Sequence, residues 1–288
     1  MTTQTSTSSS ASALIWKSLI RNRSAVIGGI ITLIVLLGAL LAPVVAPWDP
    51  LKFDPPNRLS GPTAEHWLGT DQFGRDLLSR VLYGARFSLS VAMVSVLAGL
   101  LVGGTLGLLA GYFRGWFDLV VSRLADILIA YPAILLAIAF LAFLGGGFIN
   151  LVLAISVVFV GPFIRVARAA VLTVREELYV EAGRAMGASD GRMIFHTILP
   201  NAAAPLIVEV TLRLAYAVLA EAALSFLGLG IQPPFPALGS MVSEGRAFLS
   251  LSSWGSIVPG CAIVLMVLGF NLLGDGLRDA LDPRLRQR

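Results

Sequence analysis

The 288-residue chain is 56% hydrophobic and only 13% charged, and its mean hydropathy of +0.83 excludes an ordinary soluble domain. The apolar residues fall in long blocks, so the composition predicts an all-α integral membrane protein. The net charge of +4 belongs, in such a protein, to cytoplasmic loops, which argues against nucleic acid as a partner.

The N-terminal region predicts a tail followed by a membrane anchor. Residues 1–23 are rich in Ser and Thr and end in a basic stretch, so we expect a disordered cytoplasmic tail. Residues 24–46 are apolar over a length that crosses a bilayer. This block is longer than the core of a secretory signal peptide and ends in Pro43 and Pro47, so it predicts an anchor.

Residues 47–86 predict an extracytoplasmic segment that ends in a short surface helix. Its first half is rich in Pro, which excludes regular structure, and from Asp71 onward Leu and Val recur at helical spacing. The His, carboxylate and Arg side chains of this segment would suit a metal or catalytic cluster. A single His without repeated ligand spacing instead favours solvated charges that hold the loop in place.

Residues 87–276 contain five further apolar blocks, near 87–112, 117–144, 149–171, 203–229 and 254–273. Together with the first block they predict six transmembrane helices. In the second block, Gly99, Gly103 and Gly107 have the spacing that lets helices approach closely in lipid.

Three later features of these blocks predict local structure. Pro132 should kink the third block, in which Arg123 and Asp126 are spaced to form an ion pair. Glu209 and Arg213 of the fifth block, four residues apart, are also spaced to form an ion pair.

Basic residues predict the orientation. Six spans place both termini, the turn at Arg114 and the segment 165–192 on one side of the membrane, and most Lys and Arg residues lie there. Basic loops stay in the cytoplasm, so both termini are expected there, with residues 277–288 as a C-terminal tail.

The longest charged stretch in the second half covers residues 175–200, REELYVEAGRAMGASDGRMIFHTILP. It predicts two short helices joined by a sharp turn. Gly187 should stop the first helix, Ser189 or Asp190 should cap the second, and Pro200 should end it. Apolar side chains rimmed by charge favour docking of another protein, and an amphipathic helix in the lipid headgroups is the alternative.

The chain lacks the motifs of an enzyme. Its only lysines are Lys17 and Lys52, and neither follows the glycines of a phosphate-binding loop. No metal-ligand pattern or catalytic residue is visible, which leaves transport. An ion-coupled secondary transporter usually has internal repeats, and none is found here. A docking loop instead favours an ATP-driven permease.

The loop also resembles a known motif. The run Glu181-Ala182-Gly183, Gly187 six residues after the Glu, and the run Ile198-Leu199-Pro200 resemble the EAA loop of ABC-importer permeases. Residues 66–89, 220–234 and 271–284 are similar to the dipeptide/oligopeptide permease family, and more to its DppC/OppC type than to its DppB/OppB type.

The resemblance implies a type I ABC importer permease fold in the cell inner membrane, with a coupling helix that docks on an ATP-hydrolysing subunit. It implies a sister DppB/OppB-type permease, two ABC ATPase subunits and an extracytoplasmic solute-binding protein as partners. ATP and Mg would be used by the ATPase subunits, and this chain would bind no cofactor. The implied cargo is dipeptides or oligopeptides, with nickel, glutathione, opines or sugars as alternatives.

The resemblance also implies roles for individual residues. The coupling positions are Glu181, Ala182, Gly183, Arg184, Gly187, Ser189, Phe195, Ile198, Leu199 and Pro200. Of these, Glu181 and Arg184 are expected to hold the loop by hydrogen bonds and ion pairs, and Phe195, Ile198 and Leu199 to supply the packing. The binding protein is expected to land on residues 66–82 and 231–253, through Asp71, Arg75, Asp76, Glu244 and Arg246. Solute contact is assigned to Glu221, Ser225 and Phe226, and no metal site is expected.

Overall fold

The computed structural model describes residues 19–281, so most of the predicted N-terminal tail and residues 282–288 lie outside the described residues. The main helices are α1 (Arg23–Leu40), α2 (Leu77–Phe113), α3 (Gly115–Ala130), α4 (Ala133–Leu144), α5 (Phe148–Arg175), α6 (Leu178–Ala185), α7 (Asp190–Phe226), α8 (Leu238–Arg246) and α9 (Trp254–Leu281). Two short helical turns, Ala42–Val45 and Pro55–Asn57, lie between α1 and α2.

Within the described range, α1, α2, α5, α7 and α9 are each long and apolar enough to cross a membrane. The helices α3 and α4 form a bent pair whose arms meet at 92°, and this pair counted as one span gives six. The predicted all-α membrane fold is therefore confirmed.

The break between α3 and α4 lies where the sequence predicts a kink. Tyr131 has an extended backbone, with φ −88° and ψ 141°, and Pro132 follows it. Proline disfavours the helical conformation of the residue before it and has no N–H to donate, so the helix ends here.

The core lies between α2, α5 and α7, with α5 at its centre. Leu151, Ile155, Phe159 and Phe163 of α5 are each at most 1% exposed. The helix α9 packs against α7 and against α1, the most peripheral of the spans. The bundle is thus organised around α5.

The glycines of the second block pack as predicted. A Cβ atom added at Gly99 would lie 2.8 Å from Cβ of Phe159, and one added at Gly107 would lie 2.8 Å from Cβ of Ala167. At Gly103 the added atom would overlap the backbone of α5. These positions therefore bring α2 and α5 closer together than any larger residue allows.

The short surface helix predicted at the end of residues 47–86 does not exist as a separate element. Asp76 caps a helix that runs without interruption from Leu77 to Phe113. This stretch contains no proline, so nothing ends the surface helix before the apolar block begins.

The prediction that Pro200 ends a helix is also wrong. The helix α7 continues from Asp190 to Phe226, and the residues before Leu199 form a widened π turn, Met193–Ile198. Pro200 then lies directly after this π turn, and the irregular hydrogen bonding of the π turn accommodates a residue that has no N–H to donate.

Candidate coupling surface and cap

The loop between α5 and α7 contains α6 and a tight reversal after it. Gly187 has a φ of +80°, its N–H donates to the carbonyl of Arg184 at 2.9 Å, and the N–H of Ala188 donates to the carbonyl of Gly183 at 3.1 Å. These two bonds and the left-handed glycine form a Schellman motif. The predicted stop at Gly187 is confirmed.

The start of α7 follows at once. Ser189 occupies the cap position with an extended backbone, but its side chain makes no capping hydrogen bond. The carboxylate of Asp190 instead accepts a hydrogen bond from the hydroxyl of Tyr112, at 2.5 Å. The start of α7 is thus held by a contact with the far end of α2.

Large apolar side chains of this loop point away from the protein. Leu178 is 80% exposed, Met186 is 83% exposed and Phe195 is 63% exposed. The exposed polar or small residues around them include Glu176, Glu177, Glu181, Ala182, Arg184, Ser189, Asp190 and Arg192, and Pro200 is exposed just beyond them. We call residues 176–197 the coupling surface. Exposed apolar groups within a charged rim are typical of a protein-binding surface.

Ile198 faces the interior of the protein, so it can contribute packing within the loop but offers no surface to a partner. Its side chain is 0% exposed and packs in a cluster with Ile194 and Ala202, at the spacing of one helix face. Phe195 lies on a different, exposed face, and Leu199 is half-buried. The sequence analysis missed Leu178 and Met186, although the same helical periodicity separates outward from inward residues.

Glu181 does not hold the loop from within the chain. Its carboxylate is exposed and makes no side-chain hydrogen bond or ion pair with the residues described. The guanidinium of Arg184 stacks 5.1 Å above the ring of Tyr112. A Cβ atom at Gly183 would lie 3.1 Å from the sulfur of Met193, so a glycine fits here more easily than an alanine.

Ion pairs join α3 to α5 on the side of the coupling surface. Arg168 makes a bidentate pair with Asp118, and Arg165 Nη2 lies 2.9 Å from Asp126 Oδ1. Arg123 lies 3.5 Å from the other oxygen of Asp126, as its spacing predicts. The predicted pair of Glu209 and Arg213 is also present, at 2.6 Å.

At the other end of α2, residues 47–76 and 231–253 form a structure that we call the cap. The predicted docking residues Asp71, Arg75 and Asp76 are only 4%, 2% and 2% exposed. Arg75 Nε donates to Asp71 Oδ2 at 2.6 Å, and Arg80 Nε lies 3.3 Å from the same oxygen. These side chains hold the loop in place, but they are neither solvated nor available for docking, because buried charges need partners inside the protein.

Asp76 belongs to a second cluster of hydrogen-bonded side chains in the cap. Its Oδ2 accepts hydrogen bonds from the backbone and the hydroxyl of Ser79, at 2.8 and 2.7 Å, and His66 Nδ1 lies 2.9 Å from its Oδ1. For these residues the structure favours charges that hold the loop over a metal cluster, because the carboxylates and basic groups pair with each other.

The two cap segments are joined by polar contacts. Glu244 of α8 accepts a hydrogen bond from Gln72 at 2.9 Å and lies 3.5 Å from Arg75. Arg80, which is 2% exposed, donates to the carbonyls of Pro50 and Pro234. The sequence analysis missed this role of Arg80.

The exposed surface of the cap is aromatic as well as charged. Phe53, Trp67 and Phe235 are 55%, 67% and 55% exposed. Arg246 is exposed and its guanidinium lies 5.6 Å above the ring of Phe226. The exposed aromatic rings, not the buried ion pairs, are therefore available to a partner.

Glu221 and Ser225, assigned to solute contact, are 0% and 2% exposed. The hydroxyls of Ser225 and Ser88 both donate to the carboxyl group of Glu221. These groups join α7 to α2 inside the chain and line no open path in this structure. Phe226 is half-buried beneath Arg246.

Comparison with known proteins extends over nearly all of the chain. Residues 103–287 match the family described as the binding-protein-dependent transport system inner membrane component. Residues 10–62 match the N-terminal transmembrane domain of oligopeptide transport permease C.

Curated relatives are similar over most of their length. The chain is 48% identical to the dipeptide transport system permease protein DppC of Alkalihalophilus pseudofirmus, over 94% of this chain and 89% of the relative. It is 46% identical to the di/tripeptide transport system permease protein DppC of Pseudomonas aeruginosa, over 94% and 91%. It is 43% identical to the glutathione transport system permease protein GsiD of Pectobacterium atrosepticum, over 94% and 90%.

Solved structures agree on the fold. A chain of the MetNI methionine ABC transporter in an inward-facing conformation superposes with a TM-score of 0.60 at 21% identity, over 70% of this chain and 96% of that chain. An amino acid ABC transporter with histidines gives a TM-score of 0.55 at 18% identity, over 69% and 92%. The described residues contain five candidate membrane spans, or six with α3 and α4 counted as one. With these spans, its charged loop before α7 and these matches, the chain belongs to the family of inner membrane components of binding-protein-dependent transport systems.

Proposed function

We propose that this chain is a permease subunit of an ATP-driven importer that moves dipeptides and oligopeptides from a solute-binding protein across the inner membrane. Its family membership supports the importer, and the named cargoes of its relatives support peptides. The chain has no phosphate-binding loop of its own, so ATP and Mg²⁺ belong to two ABC ATPase subunits.

The coupling surface is the observation on which this proposal depends. A membrane protein that places Leu178, Met186 and Phe195 on a charged, exposed loop has a surface suited to a folded protein partner. The free carboxylate of Glu181 adds a charged group that a partner can pair. Burial of such a surface against an ATPase subunit would stabilise the complex and link ATP hydrolysis to movement of α6 and α7.

The proposed cycle follows from this contact. ATP binding closes the two ATPase subunits and displaces the coupling surface on each permease. The helix bundle then opens toward the extracytoplasmic side, where the cap receives the loaded solute-binding protein. A sister DppB/OppB-type permease completes the path, and both termini of this chain lie in the cytoplasm.

Peptides are the proposed cargo, and glutathione is the alternative with the most support. A relative at 43% identity is named for glutathione, which is itself a modified tripeptide. Nickel, opines and sugars remain cargoes of the wider family. Selection between peptides takes place mainly on the solute-binding protein, which is a separate chain.

The test is uptake into proteoliposomes that contain this chain and its co-encoded partners, with ATP and Mg²⁺ inside and the binding protein outside. Labelled dipeptides, tripeptides, glutathione and Ni²⁺ are offered in parallel. ATP-dependent accumulation of short peptides supports the proposal. Accumulation of glutathione or Ni²⁺ alone would keep the importer and change its cargo. Uptake that ignores ATP and follows an ion gradient would refute the ATP-driven mechanism.

A further inference from the structure

Tyr112 connects the coupling surface to the membrane-spanning bundle. It lies one residue before the end of α2 and is only 5% exposed. Its hydroxyl donates to Asp190 Oδ1 at 2.5 Å, and Arg175 Nη1 donates to its carbonyl oxygen at 2.5 Å. The guanidinium of Arg184 covers its ring at 5.1 Å. One residue therefore contacts the end of α5, the helix α6 and the start of α7.

A further ion pair, between the residue after α2 and the start of the loop, is weak by comparison. Arg114 lies 3.3 Å from Glu176, but their side chains are 45% and 75% exposed. Exposed pairs of this kind contribute little, because water screens them and their side chains lose freedom. The hydroxyl of Tyr112 instead donates to a carboxylate, and hydrogen bonds to charged groups are about twice as strong as neutral ones.

The helix α2 is itself fixed to the bundle. The two helices are in close contact at Gly103 and Gly107, so separating them or sliding them past each other would open gaps in the packing. A group at the end of α2 that holds the start of α7 therefore links the coupling surface to α2 and α5 together.

We propose that Tyr112 is a positioning residue that transmits movement of the coupling surface to α2, through its hydroxyl bond to Asp190. This inference rests on the proposed ATP-driven function, since it assigns the step between the ATPase subunits and the bundle. The ring of Tyr112 contacts α6 and its backbone carbonyl contacts the end of α5, and both contacts hold the loop. The hydroxyl adds a bond to α7, so that movement of α7 is transmitted to α2.

The test compares Tyr112→Phe with Asp190→Ala, Asp190→Asn and the double variant Tyr112→Phe/Asp190→Ala in the assembled, reconstituted transporter. Phenylalanine keeps the ring beneath Arg184 and removes only the hydroxyl. Tyr83→Phe is the matched control, because Tyr83 lies on the same helix and its hydroxyl makes no hydrogen bond to the residues described. Peptide uptake and ATP hydrolysis are measured on the same vesicles.

Tyr112→Phe is expected to lower the number of peptides moved per ATP several-fold while ATP hydrolysis continues. Asp190→Ala should have the same effect, and the double variant should be no worse than either single one, because both remove the same bond. Asp190→Asn keeps an acceptor oxygen and should be milder. An unchanged ratio in Tyr112→Phe, or additive effects in the double variant, would overturn the inference.

A second measurement separates this inference from the proposed function. Amide hydrogen exchange of residues 187–192 should be about tenfold faster in Tyr112→Phe, which corresponds to a loss of about 1.4 kcal/mol. Exchange that matches the unmodified protein would overturn the link through Tyr112 even if the transporter proved not to use ATP. A wild-type assembly without ATP-dependent uptake would instead refute the proposed function alone.

Discussion

Replacement of Asp71 by Asn should destabilise the cap strongly. The substitution keeps the shape of the side chain and an oxygen that can accept the backbone N–H groups of Phe73 and Arg75, now at 2.8 and 3.0 Å. It removes the negative charge that faces Arg75 at 2.6 Å and Arg80 at 3.3 Å. Among the residues described, Arg75 would then keep only the partly exposed carboxylate of Glu244 as an ion-pair partner, and Arg80 would keep only the carbonyls of Pro50 and Pro234.

The magnitude follows from burial. Arg75 and Arg80 are each 2% exposed, so neither can recover the lost interaction from water without movement of the loop. Breaking one side of a buried ion pair costs about 3–5 kcal/mol. The backbone bonds that Asn retains reduce this loss, so we expect about 3 kcal/mol, a large part of the about 5–15 kcal/mol that stabilises a typical protein.

The assay is thermal unfolding of the detergent-solubilised chain, together with limited proteolysis of the cap. Asp49→Asn is the control, because Asp49 is exposed and its carboxylate accepts a hydrogen bond only from the backbone of Leu51. Asp71→Asn should lower the unfolding temperature and open residues 47–76 to protease, whereas the control should change neither. A loss below about 1 kcal/mol would show that water reaches the two guanidinium groups and would refute the reasoning.

Three further predictions concern other parts of the chain. Glu181→Ala should lower peptide uptake per ATP without loss of membrane insertion, since the carboxylate is free for a partner. Asp275→Ala is the control, because this exposed carboxylate lies on α9, outside the coupling surface. Equal uptake in wild type and Glu181→Ala would contradict this. Gly103→Ala should destabilise the solubilised protein by about 1–3 kcal/mol, because the added methyl group would overlap the backbone of α5. Gly260→Ala is the control, because its added methyl group would lie in open space. Thermal unfolding measures both, and equal unfolding temperatures would exclude the close contact. Glu221→Gln should unfold at nearly the wild-type temperature, because an amide can satisfy both serine hydroxyls, while Glu221→Ala should lose about 1–3 kcal/mol per unsatisfied buried group. A Gln variant as unstable as the Ala variant would show that an amide cannot replace the carboxyl group.

Local signals in the sequence predicted much of this fold. The break at Pro132, the Schellman motif at Gly187 and the close packing at Gly103 each depend on the backbone chemistry of one residue type. The pairs Arg123–Asp126 and Glu209–Arg213 depend on helical spacing alone. Signals of this kind need no knowledge of the tertiary structure.

Burial could not be predicted in the same way. Asp71 and Arg75 are charged and lie in a loop, so the sequence predicts exposure, but both are buried, and Arg75 pairs with Glu244 of a distant segment. The contact between Gln72 and Glu244 joins positions 172 residues apart, and no local pattern indicates it. The continuation of α7 past Pro200 could not be predicted for a different reason, because proline ordinarily ends a helix and only the π turn Met193–Ile198 lets this one continue.

The helix α2 is the element that touches every functional region of this chain. Its first turn is capped by Asp76 within the cap, its middle packs against α5 through Gly103, and Tyr112 near its end holds the coupling surface. At about 1.5 Å per residue, its 37 residues span roughly 55 Å, more than the thickness of a bilayer core. We expect a helix of this length to carry a displacement from one end toward the other, and the π turn at Leu100–Gly104 is the irregular turn at which it would bend. Because that turn includes Gly103, yielding there would strain the contact with α5, so we expect α2 and α5 to move together when the coupling surface shifts.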